Sequence, residues 1–252
     1  MMRKRATFSG SMLGMALALL LASPVLAGPI PCDPATCGWS ISVNGNEVMS
    51  GAYEIDEDGN LSLAAPVSMT TPDFSVSIDS IGGNVDPEIV FGLGATNTSG
   101  SAQTYAFAFS LPLGGFTGLI DTYAELGQTL SAVTGDTDGL TMFPTSGTGF
   151  IVDSQDIRFS PFSSVDKGVD VGDVLFAPDG STVLDLDTAS SQILLSGGYD
   201  LMSVIVAFGL DSDGGVGLSG RVRQTIVPEP GTALLVGLGV LALAIRQRTR
   251  RV

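Results

Sequence analysis

The sequence contains no histidine among its 252 residues, and it has only two cysteines and one tryptophan. The missing histidine removes the most common general base of enzymes and the most common nitrogen ligand of metals. A serine nucleophile would need another base, and a Cys-based zinc site lacks the further Cys or His ligands that it requires. Catalytic and metal-binding functions that depend on histidine are therefore excluded.

Basic residues are scarce between Gly28 and Ile226. Seven of the 11 lysines and arginines lie outside this span, which keeps four basic residues against 25 acidic ones and so carries a net charge of −21. Such a surface repels nucleic acid phosphates and attracts cations and basic partners. We expect no nucleic-acid partner.

The same span lacks a convincing amphipathic helix, a fixed-period repeat and a Gly/Ser linker. It has instead short alternating runs, such as "WSISVNG", "DFSVSIDSIGG" and "YDLMSVIVAFGL", with turn-forming sequences such as "DEDGN", "APDG" and "DSDGG" between them. Many short strands separated by turns are typical of sandwiches. We predict an all-β fold, an antiparallel β-sandwich in a single domain over residues 28–226.

Two segments carry more specific predictions. Residues 88–96 and 104–111 both alternate, and the polar "NTSGSA" between them has the composition of a hairpin loop. Residues 117–133 have a pattern that a helix would also allow, but their Thr and Gly content disfavours a helix. We therefore expect a hairpin in the first segment and strands in the second.

The N-terminal segment predicts export. Positive charges at residues 3–5 precede the apolar stretch Met12–Leu21, and "SPVLAG" follows it. Small residues before the bond between Ala27 and Gly28 suit cleavage there by signal peptidase. We expect a helical signal peptide at residues 1–27; the alternative is an uncleaved N-terminal anchor.

The two cysteines, Cys32 and Cys37, follow closely after the predicted cleavage site. An exported protein enters an oxidising compartment, where a local disulfide between them is expected. Free thiols are the alternative. The loop is short, so such a bond would remove less chain entropy than a long-range one.

The C-terminal segment, residues 227–252, has three parts. Val227 leads into Pro228-Glu229-Pro230, and residues 231–245 follow without a charge. As a helix these would span about 22 Å, which is shorter than a hydrocarbon core of about 30 Å. The last part, residues 246–252, contains four arginines, which are Arg246, Arg248, Arg250 and Arg251. Arginines in this position favour a single transmembrane helix with a cytoplasmic tail.

In this order, the three parts closely resemble the PEP-CTERM sorting signal of certain Gram-negative bacteria. The resemblance implies an exosortase partner that processes the chain near Pro228-Glu229-Pro230, and an association with exopolysaccharide or biofilm. It also implies transient anchoring in the inner membrane with the body in the periplasm, followed by release to the cell surface or matrix. The alternative is a C-terminal anchor that is never cut.

Three Asp-Gly sequences are weak Ca²⁺ candidates, since Ca²⁺ binds several carboxylate and carbonyl oxygens. Their aspartates are Asp56, Asp58, Asp136, Asp138, Asp211 and Asp213. None of the three follows the EF-hand pattern. The sequence that begins at Glu54 approaches its first half, but the twelfth position, which needs a bidentate Glu, is Ala65. Asp-Gly pairs are also good turn formers, and we favour turns and no bound cofactor.

The body shows no strong catalytic motif. Ser164 and Lys167 in "SVDK" form a weak nucleophile–base candidate, and sequence spacing does not show whether two carboxyls meet across a cleft. We expect a non-catalytic surface or matrix protein. The alternatives are a module that binds Ca²⁺ or polysaccharide and, behind it, a matrix-modifying hydrolase.

Overall fold

The computed structural model describes residues 37–113, 118–133, 138–159, 162–195, 198–227 and 237–240. The strands in these ranges are, in chain order, β1 (Gly38–Val43), β2 (Asn46–Ala52), β3 (Glu54–Ile55), β4 (Leu61–Ser62), β5 (Val67–Thr70), β6 (Phe74–Asn84), β7 (Glu88–Asn97), β8 (Gln103–Pro112), β9 (Gly118–Ala132), β10 (Leu140–Pro144), β11 (Val152–Phe159), β12 (Phe162–Asp166), β13 (Leu175–Ala177), β14 (Thr182–Leu195), β15 (Leu201–Leu210) and β16 (Gly214–Ile226).

Two antiparallel sheets contain most of these strands. Sheet I has the order β12-β11-β15-β8-β1-β2, and β10, which carries β13, continues the β11 edge along the second half of β15. Sheet II has the order β14-β9-β16-β7-β6-β5. A small hairpin of β3 and β4 stands apart from both. The predicted antiparallel β-sandwich is confirmed.

The core lies between the sheets because alternate residues of each strand point to it. On β1 the inward residues are Trp39, Ile41 and Val43, as their alternation predicts. Phe91 of sheet II stacks on Phe109 of sheet I with ring centroids 5.5 Å apart. Each such buried side chain contributes about 1.5–3 kcal/mol by leaving water.

The hairpin predicted for residues 88–111 is wrong. β7 pairs with β6 and β16, whereas β8 pairs with β1 and β15, so the two strands lie in different sheets. At the end of β7, where the chain passes from sheet II to sheet I, the Asn97 Nδ2 donates to the carbonyls of Leu210 and Asp211, each at 3.0 Å. These hydrogen bonds hold the connection in place. Both strands bury aromatic side chains, and packing face to face covers these rings better than pairing edge to edge.

The segment for which strands were preferred to a helix is one long strand, β9, so that preference is confirmed. It lies between β14 and β16, and its fourteen-residue partner β14 forms the edge of sheet II. β9 is therefore the second strand of sheet II, next to its edge strand β14.

The terminal predictions lie outside the described residues. They are the signal peptide at residues 1–27 and most of the transmembrane segment at 231–245, of which only residues 237–240 are described, as a helical turn. No helix in the described ranges reaches the length and apolarity of a membrane span.

Candidate functional site

The outer face of sheet II is poor in large side chains over half its length. Strand alternation places Ser77, Gly94, Gly217 and Thr129 in one cross-strand row, and these residues line a shallow groove. A Cβ at Gly94 would lie 2.7 Å from the Ser77 hydroxyl, which would have to rotate away. We call this hydroxyl-rich surface the polar platform.

The other half of the same face carries charged and aromatic side chains from three strands. We call this group the arginine row; its members are Glu88 of β7, Tyr123 and Glu125 of β9, and Arg221 and Arg223 of β16. Arg221 pairs in register with Glu125 and Arg223 with Tyr123. The row therefore follows directly from antiparallel pairing of β9 with β16.

Specific contacts hold the arginine row together. Arg221 Nε lies 3.2 Å from Glu88 Oε1, and the Arg223 guanidinium lies 5.3 Å from the centroid of the Tyr123 ring. The Tyr123 hydroxyl donates to Glu125 Oε2 at 2.8 Å, and this hydrogen bond raises the pKa of Tyr123. Because the phenol stays protonated, it remains a hydrogen-bond donor at neutral pH.

Arg223 occupies the centre of this half of the face. It lines one shallow groove with Glu88 and Thr225, and a second with Asp121 and Ser190. Within the part of the chain that the structure describes, no carboxylate forms an ion pair with it. Its N–H donors are therefore available at the surface of an otherwise acidic body.

The three arginines of the body differ in their surroundings: Arg158 is half-buried, whereas Arg221 and Arg223 are exposed. Arg158 of β11, beside the edge strand β12, lies 4.9 Å from the Tyr199 ring, and its Nε donates to the Gly198 carbonyl at 2.9 Å. Arg221 and Arg223 share one face of sheet II. Such a face suits an extended, hydroxyl-rich ligand that carries acidic groups, because arginine pairs bidentately with carboxylates and the platform supplies hydroxyls.

The residues predicted from the termini lie mostly outside the described ranges. These are Ala27, Gly28, Cys32, Pro228, Glu229, Pro230, Arg246, Arg248, Arg250 and Arg251. Val227 is described, and its N–H donates to the Leu119 carbonyl at 2.9 Å. Cys37 is fully buried at the start of β1, and its predicted bond to Cys32 stays a prediction.

The candidate Ca²⁺ aspartates that the structure describes lie in or beside turns. Asp56 accepts from the backbone N–H groups of Asp58 at 3.0 Å and Asn60 at 2.8 Å, while Asp211 accepts from the N–H of Thr141 at 3.2 Å. Asp213 has a φ of 58°. Asp138 lies next to β10, and Asp136 is outside the described ranges. Among the described residues, no three carboxylates or cysteines are placed to hold a metal.

The structure does not bring Ser164 and Lys167 together. Ser164 is exposed on β12, whereas Lys167 points into the core and forms an ion pair with Asp156 of β11. Gln224 of β16 donates to the same carboxylate at 2.9 Å. Sequence analysis missed Asp156 and Gln224: both lie in predicted strand runs, but nothing in those runs shows that these two side chains are buried.

Two further carboxyls of the same region are perturbed. Burial, with the charges of Asp166 and Asp153, raises the pKa of Asp170 to about 6. Burial also raises the pKa of Asp153. Asp170 accepts from the backbone N–H of Ser154 at 3.4 Å. This group of like charges destabilises the folded body at neutral pH.

Comparison with known proteins identifies the tail. Residues 227–251 match the PEP-CTERM protein-sorting motif, which confirms the resemblance. No curated protein sequence matches the chain.

The solved structures that match part of this chain include the enzymatically active domain of bacteriophage CBA120 tailspike protein 4, at 14% identity and a TM-score of 0.27. This match covers 65% of this chain and 19% of the tailspike chain. TmCBM61 in complex with β-1,4-galactotriose matches at 8% identity and a TM-score of 0.28. This match covers 63% of this chain and 97% of TmCBM61. The family 11 carbohydrate-binding module from Clostridium thermocellum matches at 10% identity and a TM-score of 0.22. This match covers 75% of this chain and 96% of the module. These likenesses say nothing about the ligand of this chain.

Proposed function

We propose that this chain, which carries a PEP-CTERM protein-sorting motif, is an exported, non-catalytic surface or matrix protein that an exosortase processes. The observation that supports this proposal most is the position of the motif. β16 ends at Ile226 and the motif begins at Val227, so the sorting signal directly follows the last strand of the sandwich. The folded body is then the part that remains after processing, and the tail is the sorting signal that is removed.

Intact mass of the protein from its native host tests this proposal, with and without the exosortase gene. We expect a mass for Gly28 to a residue near Pro230 in the parent strain, and a mass that extends to Val252 in the deletion strain. A mass that extends to Val252 in both strains would contradict exosortase processing. Membrane anchoring before the cut would place the body in the periplasm and, after it, at the cell surface or in the matrix.

The arginine row favours a second function, binding of an acidic polysaccharide by the mature body. Arg223 has no acidic partner among the described residues, and it lies between two shallow grooves beside the polar platform. A repulsive net charge of the body disfavours loose, nonspecific attachment of acidic polymers. Binding would thus depend on this one face. An association with the exopolysaccharide of the producing cell would follow from it.

Binding of the full mature protein to an immobilised uronic-acid polysaccharide and to a neutral glucan tests this second function. We expect retention by the acidic polymer, and a loss of about tenfold in Arg223→Gln, the equivalent of one charge-assisted contact. Arg158→Gln is the matched control, since it removes an arginine with a similar tyrosine contact elsewhere. Equal loss in both variants would contradict a specific role for the arginine row.

A matrix-modifying hydrolase is the lesser alternative. The chain has no histidine, and Ser164 and Lys167 lie on opposite faces of their hairpin. The grooves at the arginine row are shallow, whereas hydrolysis of a glycosidic bond needs two carboxyls across a substrate cleft. Release of reducing ends from the bound polysaccharide would favour the hydrolase over the binding protein.

A further inference from the structure

Lys167 and Asp156 form an ion pair inside the sandwich. Lys167 is the only lysine between Gly28 and Ile226, and both side chains are 0% exposed. Lys167 directly follows β12, and its backbone N–H donates to the Ser154 carbonyl of β11 at 3.2 Å. This continuation of the β11–β12 pairing turns the lysine inward, against the carboxyl group two residues further along β11.

The carboxyl group is held from the opposite sheet as well. Gln224 Nε2 of β16 donates to Asp156 Oδ1 at 2.9 Å, whereas Asp156 Oδ2 has no hydrogen-bond partner among the described residues. In the same part of the structure, Lys167 Nζ has no partner except Asp156. Two ions have thus been removed from water with few compensating contacts, which is costly.

Burial favours the neutral forms of both groups. It lowers the pKa of Lys167 to about 8 and raises the pKa of Asp156. A neutral amine is a nucleophile and a neutral carboxyl group is an electrophile, so proton transfer within the pair produces the two forms that react with each other. The fold holds them in contact, which supplies the orientation that an intermolecular reaction lacks.

We propose that Lys167 and Asp156 condense to an intramolecular isopeptide bond. The Lys167 Nζ attacks Asp156 Cγ, and a Nζ–Cγ bond forms. The Cγ–Oδ2 bond breaks, and Oδ2 leaves as water with two of the three protons of the ammonium group. Oδ1 stays as the amide carbonyl oxygen, and no atom is oxidised or reduced.

Gln224 acts directly on the reacting carboxyl group. Its Nε2 contacts the oxygen that carries negative charge in the tetrahedral intermediate, so its hydrogen bond stabilises that charge. The surrounding apolar core excludes water, which opposes hydrolysis of the product. The bond would close the β11–β12 hairpin covalently and replace a buried ion pair by a neutral amide.

Peptide mapping of the full exported protein tests the proposal directly. Trypsin cuts after Arg158 and Lys167, and an acylated lysine is not cut. We expect the peptide that ends at Arg158 to remain joined to the one that begins at Phe159, with a mass one water below their sum. Fragmentation must place the link at Asp156 and Lys167.

Two controls keep the test decisive. Lys167→Arg preserves the positive charge and the trypsin site but has no nucleophilic amine, so it should release the peptide from Phe159 to position 167. Wild-type chain kept in urea from synthesis onward should release Phe159–Lys167, because the two groups are not held together. Release of this peptide from the folded wild-type protein in full yield would overturn the proposal, as would a lost water that maps to another pair.

Discussion

Two adjacent residues of β16 face different environments. Gln224 points into the sandwich and contacts Asp156, whereas Arg223 points outward and covers Tyr123. Both side chains make polar contacts at the same end of the strand. Water screens the outer contact and is absent from the inner one, so removing a partner has unequal consequences. The comparison predicts that burial, more than the kind of interaction, decides which contacts stabilise this fold.

The largest effect is expected where a buried charge loses its partner. Relative to wild-type protein in which Lys167 and Asp156 are still an ion pair, Lys167→Met leaves the Asp156 carboxyl unpaired in the core, and it should lower the free energy of unfolding by about 3–5 kcal/mol. Urea denaturation at pH 7 measures this change. The double variant Lys167→Met/Asp156→Leu should recover much of the loss, because no buried charge remains; an equally unstable double variant would contradict this account.

A smaller effect is expected for the donor from the opposite sheet. Gln224→Leu keeps the volume of the side chain but removes the N–H that Asp156 Oδ1 accepts, and it should cost about 1–3 kcal/mol. The same urea series gives the value. Thr225→Val, on the neighbouring exposed position, is the control and should change stability little.

Asp170 is half-buried, between the buried Gln224 and the exposed Arg223, and its effect on stability should depend on pH. Because burial and neighbouring carboxylates raise its pKa in the folded state to about 6, the folded protein takes up a proton at a higher pH than the unfolded chain. Stability from this group therefore increases as the pH falls from 7 towards 4. Asp170→Asn should have a higher Tm than wild type at pH 7 and a smaller gain on acidification; identical pH profiles would contradict the assignment.

The smallest effect on stability is expected for Arg223 on the outer face of sheet II. Arg223→Gln removes only a screened contact with the Tyr123 ring, and it should change the free energy of unfolding by no more than about 0.5 kcal/mol. A stability loss as large as that of Gln224→Leu would break the comparison between the two faces. With stability preserved, any loss of polysaccharide binding in this variant is attributable to the site.

The sequence predicted the strands well because alternation has a period of two. The runs around Trp39 and in residues 117–133 form β1 and β9 as expected. The prediction that β7 pairs with β8 was wrong, because alternation shows which residues of a strand share a face but not which strand lies next to it. The two strands are neighbours in sequence and lie in opposite sheets.

The candidate site was also beyond sequence analysis. Tyr123 and Arg223 are a hundred residues apart, and only the register of β9 with β16 brings them together. The run "VDSQDIRF" gave no sign of which face was buried, because each of its faces carries an aspartate. The structure places Asp156 on the inner face, where Lys167 and Gln224 reach it.

The sequence by itself determined the sorting motif, the acidity of the body and its β-rich class, since each depends on local order or composition. Only the tertiary structure decided the partners of strands, the arginine row and the buried lysine–aspartate pair. The arginine row depends on the register of β9 with β16 in sheet II, and the burial of the lysine–aspartate pair depends on the packing of the two sheets, which brings Gln224 to Asp156. Register and packing are set by contacts between strands that are distant along the chain, so local order does not reveal them.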